Sequence, residues 1–468
     1  MGPFARVAGV FGVFAMAGCT PLAMVPPATS PAATPTGPAL PLPPMHRFGP
    51  TDPQPPMRSN EDIARDIIDL TFYLESGAEL PVLTRFDTPV TLTLTGRHST
   101  IFDLELDRLI ARLRSEARIP ITRLANDAPD AAITVTGITR HEMQRIVPAA
   151  ACFVLPARIS WSEFSTNPRQ KGLDWTQLRR RDYASIFIPA DASPQEIRDC
   201  LHEEIAQALG PLNDLYRLED SVFNDDNMQS ILTGFDMLVL RTLYDPALEN
   251  GMTKAQVAAA LPGILARLNP GGARYASHPY QPSPREWAQA IERALTPNRF
   301  PATRRRAARQ ALDIARAEGW TGNRLGLSLL TTGRLARSTD TELALSAFLG
   351  AADVYGARDT TQVQAATVAV QIAAFALAAG QNDAVLRIAT HFTPIARRAE
   401  NAALLTDFLL LRATALDSMG DPQAAGQARL DAMGWGRYAL RSEEELRARM
   451  AEIATLPPPP APAPKGQT

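Results

Sequence analysis

Imidazole and thiol, the side chains of most zinc centres, are scarce in this sequence. Its 468 residues hold three cysteines and six histidines. His98, His141, His278 and His391 are scattered and share no metal-ligand spacing, so each reads as an ordinary surface or core histidine. An excess of either charge is also missing: 47 basic residues face 49 acidic ones, for a net charge of -2. Without a basic stripe carrying aromatics, nucleic acid is not an expected partner. Arg304-Arg305-Arg306 reads as a solvated helix start. There is no glycine-rich phosphate loop and no G-x-S-x-G elbow, which excludes P-loop chemistry and the serine-hydrolase arrangement. The chain does have a 45% hydrophobic content, with length for two or three globular domains.

The N-terminus reads as an export signal. Arg6 supplies a short positive region, residues 7–16 are apolar and free of acid, and Met16-Ala17-Gly18-Cys19 follows. The apolar run is too short to span a bilayer, so it is a signal h-region and not an anchor helix. A small pair before a cysteine at that position is the pattern of a bacterial lipobox. Residues 1–18 are therefore expected to be a lipoprotein signal peptide, with Cys19 carrying the lipid that tethers a soluble body. Thr20, not Asp, follows Cys19, which by the sorting rule of diderm bacteria directs the protein to the outer membrane, facing the periplasm. In that oxidising compartment the two remaining cysteines, Cys152 and Cys200, are expected to form a disulfide.

Residues 19–60 are crowded with Pro, Ala, Thr and Ser and read as a linker; residues 457–468 read as a disordered proline-rich tail. Between them lie two regions. Residues 61–282 alternate helical and strand patterns: helices over 61–74 and 104–116, strands over 89–95, 132–139, 152–161 and 184–188. Residues 283–456 are alanine-rich and helical throughout, with helices over 343–354, 364–379, 384–395 and 402–419. Gly380-Gln381-Asn382 and Gly420-Asp421-Pro422 end two of them, and this spacing resembles tetratricopeptide hairpins, with a plain helical bundle as the alternative.

The most informative segment runs from Ser193 to Asp214. Ser193 is a good N-cap, Pro194 sits at the first helical position, Glu196 would complete a capping box, and Gly210-Pro211 stops the helix. At about 100° per residue, Ile197, Leu201, Ile205 and Ala208 share an apolar face. Cys200, Glu203, Glu204 and Gln207 share another.

The frame Glu203-Glu204-x-x-Gln207-x-x-Gly210-x-x-Asn213 resembles the metzincin motif H-E-x-x-H-x-x-G-x-x-H. The base glutamate and the turning glycine match. The three histidine ligand positions hold Glu203, Gln207 and Asn213, and His202 is one step out of frame. Ser221-Val222-Phe223 resembles the Met-turn, with Phe223 where methionine is expected. The stretches "CLHEEIAQALGPLND", "SVFND" and "LTGFDMLVLRTLYDP" together resemble the domain of unknown function 2927 (DUF 2927), a family of exported bacterial proteins without an assigned activity. That resemblance covers roughly residues 61–253. It implies an α+β zincin-like domain with a mixed sheet and a motif helix, followed here by the all-α, repeat-like region.

Catalytic zinc wants about three good ligands and one open position, and neutral amides bind it poorly. No zinc or other cofactor is therefore expected. The expected function is binding or scaffolding of an envelope protein or peptide on a degenerate zincin frame. The alternative is a metal-dependent hydrolase of peptides or cell-wall material, with Glu203 and Asp214 as ligands and Glu204 as general base.

Overall fold

The structure is a computed structural model, and it describes residues 42–148, 150–296 and 299–458. The signal peptide, Cys19 and the distal tail lie outside the described residues. In chain order the first region contains α1 (Asn60–Phe72), β1 (Val90–Gly96), α2 (Thr100–Ser115), β2 (Ile121–Arg123), β3 (Ile133–Ile138), α3 (Arg140–Ile146), β4 (Phe153–Leu155), α4 (Trp161–Thr166), β5 (Ala184–Pro189), α5 (Pro194–Leu209), α6 (Gly234–Leu243) and α7 (Lys254–Leu268). The strands form one sheet in the order β2-β1-β3-β5-β4. Every pairing is parallel except β4 against β5.

Alternation in the strands feeds two cores. Leu92, Leu94, Val135, Ile186 and Ile188 point into the main core with α1, α2 and α5. Phe187 and Ile138 point to the other face, where Phe164 and Met143 build a smaller core. Its rings pack at centroid separations of 5.2 to 5.9 Å, among them Phe153, Trp161 and Phe164 around Phe187. The strand expected over 152–161 is thus only three residues long. Ser160 caps α4 instead, its hydroxyl and the Glu163 carboxylate completing a capping box, and Trp161 begins that helix. Two short helices, α3 and α4, and the short strand β2 carry too little periodicity to have been read from sequence.

The second region is helical: α8 (Arg285–Leu295), α9 (Pro301–Ala317), α10 (Asn323–Ala336), α11 (Thr341–Gly356), α12 (Gln362–Ala378), α13 (Asn382–Arg398), α14 (Ala402–Ser418), α15 (Pro422–Ala439) and α16 (Glu443–Ala454). Each of α8 to α14 packs on the next helix in the chain, and α16 closes on α14 and α15. Gly380 and Gly420 adopt positive φ (71° and 82°) at the ends of α12 and α14, a backbone conformation that glycine takes at little cost. The stretch Asp359–Ala378 is long and apolar enough to cross a membrane by composition, yet 78% of it is buried among neighbouring helices. It is placed as a core helix.

Residues 42–58 have no helix or strand, but they are packed. Phe48 stacks on Trp435 and meets Tyr438 edge-on, at centroid distances of 4.4 and 5.7 Å. The His46 N–H donates to the Gly434 carbonyl (3.0 Å). A Cβ on Gly434 would overlap the His46 ring, and one on Gly234 would overlap the Gln54 carbonyl. This part of the proline-rich segment is a strap across both regions and not free linker. Its few apolar side chains, Leu42, Met45 and Phe48, suffice because the helical core already offers them a surface.

Candidate functional site

Helix α5 starts as its sequence dictates: Pro194 occupies the first turn and the Ser193 hydroxyl accepts from the Glu196 N–H (3.2 Å). The Glu196 carboxylate turns away to Arg140, so the capping box is only half formed. At the other end Arg181, fully buried, donates to the carbonyls of Gln207 (2.7 Å), Ala208 (2.6 Å) and Gly210 (3.3 Å). A cation on the last carbonyls satisfies orphan acceptors and complements the helix dipole. Cys152, just before β4, is bonded to Cys200 of α5, with Cα atoms 6.0 Å apart. The antiparallel edge strand is thereby fixed to the motif helix.

The amphipathic reading of α5 needs correction. Glu204 and Gln207 are as buried as Leu201 and Ile205, because both faces of the helix are covered. One side meets the sheet and α2. The other meets residues 211–233, an irregular connection to α6, and the helical region beyond it. That connection belongs to two cores at once. Leu218, Val222, Phe223 and Leu232 enter the sheet-domain core, while Tyr216 and Met228 enter the helical one. Tyr216 meets Trp287 edge-on at 4.9 Å. Asn323 donates to the Tyr216 carbonyl (2.8 Å) and Gln364 to the Glu219 carbonyl (2.7 Å).

The motif positions divide. The Gln207 amide donates to Asp214 Oδ2 (3.2 Å). The Asn213 amide turns to the Asp69 carbonyl of α1 (2.9 Å). His202 is buried, and its Nδ1 accepts the Leu232 N–H (2.9 Å). Burial, reinforced by Arg112, holds this imidazole well below its usual range, so it is a neutral structural acceptor. Phe223 is fully buried in the sheet-domain core. The neighbouring Ser221 hydroxyl and Val222 N–H both bind the carboxylate of Asp236, which caps α6. The fit to zinc is poor: the three ligand positions hold one carboxylate and two neutral amides, and each amide N–H already donates to another oxygen of the protein.

What the fold assembles is a set of carboxylates. Oxygens of Glu75, Asp214 and Asp225 lie within 4.8 Å of one another. Glu203 and Glu204 are electrostatic neighbours of this group. Burial first, then Asp225 and Asp214, push Glu75 well above the carboxylate range. Burial first, then Asp214 and Glu204, do the same to Glu203. Glu204 is raised by burial and by Asp214, and Asp225 by burial and by Asp214. Asp214 is pushed up by burial to about 6, against hydrogen bonds from Glu75 and Gln207 that lower it. Among the described residues no arginine, lysine or histidine forms an ion pair with any of the five. Glu204 is 1% exposed and neither of its carboxylate oxygens has a hydrogen-bond partner; Asp214 is 7% exposed and its Oδ1 has none. Unpartnered buried carboxylates are costly, and native structures rarely keep them without a use. Glu203, Glu204 and Asp214 were visible in the motif. Glu75, in the turn after α1, and Asp225, in the irregular connection, carry no spacing signal that joins them to it.

Residues 60–263 match a family model described as "Protein of unknown function (DUF2927)". This part of the chain belongs to the DUF2927 family. The match begins with α1 and ends inside α7. It therefore takes in the sheet, α5, residues 211–233 and all five carboxylates of the DUF2927 domain, and none of α8–α16. Neither curated proteins nor solved structures gave a match to the chain.

The helical region holds the DUF2927 domain through buried charge. Glu400 sits at positive φ (50°) in the turn between α13 and α14 and is itself buried. Its carboxylate takes Arg108 (3.0 Å) and Arg198 of α5 (3.4 Å), and its carbonyl takes a second Arg198 N–H. The Tyr438 hydroxyl donates to Glu105 (2.8 Å). Every one of these groups has a partner of opposite charge or a hydrogen bond.

Proposed function

We propose that this chain is a lipid-anchored cell-envelope protein whose DUF2927 domain is a peptidase-like frame that has lost its zinc and now serves in binding or scaffolding. The carrying observation is the commitment of the two amides. The Gln207 amide donates to Asp214 and the Asn213 amide to a backbone carbonyl, so both are oriented by bonds within the protein, and neither supplies the imidazole nitrogen with which a metzincin holds zinc. A mixed sheet whose antiparallel edge strand is tied to the helix bearing Glu203 and Glu204 supports the zincin-like part of this reading. The consecutive helical pairs of α8–α16 support a tetratricopeptide-like partner surface for an envelope protein or peptide. In this reading Cys19 carries the lipid and the body faces the periplasm from the outer membrane. The test is twofold. Mature protein purified without chelator should contain no stoichiometric zinc and cleave no general peptidase substrate, and Cys19→Ser should leave the membrane fraction. Stoichiometric zinc, with hydrolysis lost in Glu204→Gln, would overturn the first part; a Cys19→Ser protein still in washed membranes would overturn the second.

A second reading has one observation in its favour. The Glu204 carboxylate has no partner and an elevated proton affinity, the state in which a general base awaits substrate. A metal-dependent hydrolase using Glu204 as base would exploit it, with Glu203 and Asp214 near the metal. The same zinc and peptidase measurements separate the two readings.

A further inference from the structure

We propose that Glu75, Asp214 and Asp225 form a binding site for one hard divalent cation of calcium's size, which fastens the irregular connection 211–233 to the turn after α1. The three carboxylates come from three separate pieces of chain. Glu75 follows α1, Asp214 follows the stop of α5, and Asp225 lies near the middle of the connection. Their oxygens fall within 4.8 Å of one another. Two oxygens on one calcium ion, each at about 2.3–2.6 Å from it, lie no more than roughly 4.6–5.2 Å apart, so the three carboxylates are close enough to share one ion.

Chemistry points the same way. Three carboxylates without imidazole or thiolate suit a hard cation that prefers oxygen, and suit zinc or copper poorly. Glu75 and Asp225 are half-buried, leaving a side for water ligands, while Asp214 is buried. The second, independent observation is what stands behind the triad. Asp214 Oδ1 has no partner, and neither has either oxygen of Glu204, whose nearest electrostatic neighbour is Asp214. Three buried acids elsewhere are answered by arginine, Asp66 by Arg58 and Arg217, Glu400 by Arg108 and Arg198, Asp407 by Arg449, and buried Asp236 is answered by the Ser221 hydroxyl and backbone N–H groups. Here, among the described residues, no arginine, lysine or histidine forms an ion pair with them; their partners are neutral or acidic side chains. A divalent cation supplies the missing charge and uses the orphaned oxygen. Tyr216, hydrogen-bonded to Asp225, carries the effect onward, because its ring is packed on Trp287 of the helical region. Cation binding would therefore stiffen the junction of the two regions as well as the connection itself.

This site shares Asp214 with the alternative hydrolase reading, but Glu75 and Asp225 lie outside the zinc-type frame, so variants at those two residues keep the two readings distinguishable. Full-length mature protein, stripped with EDTA and dialysed, is titrated with CaCl2, MgCl2, MnCl2 and ZnCl2 by calorimetry and by thermal unfolding. Terbium, excited through aromatic side chains, serves as a luminescent probe. The expected result is one calcium per chain, a rise in Tm of several degrees at saturating calcium, and terbium emission that calcium displaces. Glu75→Gln and Asp225→Asn should each weaken calcium binding at least about tenfold, since each removes one charged ligand. A surface control, Glu61→Gln, should bind as the parent does. Folded protein that shows no heat, no Tm change and no terbium emission would overturn the proposal. So would calcium binding unchanged in both Glu75→Gln and Asp225→Asn. If either variant fails to fold, the parent's stoichiometry and its terbium competition still decide. Zinc bound with peptide cleavage that survives Glu75→Gln and Asp225→Asn would contradict the loss of peptidase function, while calcium binding lost in those variants would still support the calcium site.

Discussion

Two acidic clusters draw residues from the connection 211–233, and the fold treats them in opposite ways. In the first, Asp66 and Asp69 of α1 and Asp220 of the connection are woven together by Arg58 and Arg217, with Asp66 bonded at 2.8 and 2.7 Å. Arg58 also stacks on Phe235, 4.4 Å from its ring centre. In the second, Glu75, Glu203, Glu204, Asp214 and Asp225 share a similarly covered space and have only one another, Gln207 and Tyr216. The first cluster holds α1 to the connection by ordinary ion pairing. The second has no basic partner among the described residues, and two of its members, Glu203 and Glu204, lie on α5. Under the cation-binding proposal, the second is the functional one.

The sharpest way to break this contrast is to remove the arginine of the first cluster. Arg58→Met should destabilise the chain by about 3–5 kcal/mol, because Asp66 and Asp220 would be left buried and uncompensated. Urea unfolding would read this as a lower midpoint at unchanged slope, and an unchanged midpoint would mean the cluster is not coupled to folding. Next in size is the covalent link that fixes α5 beside the second cluster. The Cys152–Cys200 bridge spans 48 residues, for which the chain-entropy relation gives about 4 kcal/mol. Cys152→Ala/Cys200→Ala should lower stability by about 2–4 kcal/mol, checked by calorimetry against the oxidised parent. The smallest effect has the opposite sign. In the absence of divalent cations Glu204→Gln should be neutral or stabilising by about 1 kcal/mol near pH 8, since it replaces a carboxylate that ionises at a cost with a neutral isostere. An equal loss from Glu204→Gln and from Asp66→Asn would erase the distinction between the clusters.

Much of this was legible in the sequence where periodicity is long. Helices α1, α2, α5 and α11–α14 and strands β1, β3 and β5 follow from apolar spacing, because a buried stripe or alternating face leaves a pattern whatever it packs against. Helices α3 and α4 are six or seven residues long and are set by capping boxes at Thr139 and Ser160, too short for a stripe to form. The covering of α5 on both faces was hidden for another reason. Glu204 and Gln207 look like a solvated face, and only the tertiary placement of 211–233 and of Glu400 shows that they are not. The strap 42–58 illustrates the same limit: its composition is that of a linker, but Phe48 and His46 find Trp435 and Gly434 far along the chain. The candidate site was half visible. Glu203, Glu204 and Asp214 share a helix and its exit, whereas Glu75 and Asp225 reach them only through the fold.

Stability against pH measures directly whether the second cluster is uncompensated. Carboxyls whose proton affinity is higher in the folded state than in the unfolded chain contribute stability below their unfolded pKa and lose it as pH rises through the folded value. For Asp214 the two values are 3.8 and about 6, worth roughly 3 kcal/mol across the window, and Glu203, Glu204 and Asp225 shift in the same direction. His202 opposes this only in acid, where its unfolded imidazole takes up a proton that the folded one refuses. The measurement is therefore urea unfolding in EDTA between about pH 7.5 and pH 9, above the range in which an unfolded imidazole titrates, where the fall rests on the carboxyls pushed well above their usual range, Glu203, Glu204 and Asp225. The account predicts that the midpoint falls as pH rises, and that Glu203→Gln/Glu204→Gln flattens the fall. A midpoint that is level or rises over this range in the parent protein would contradict it.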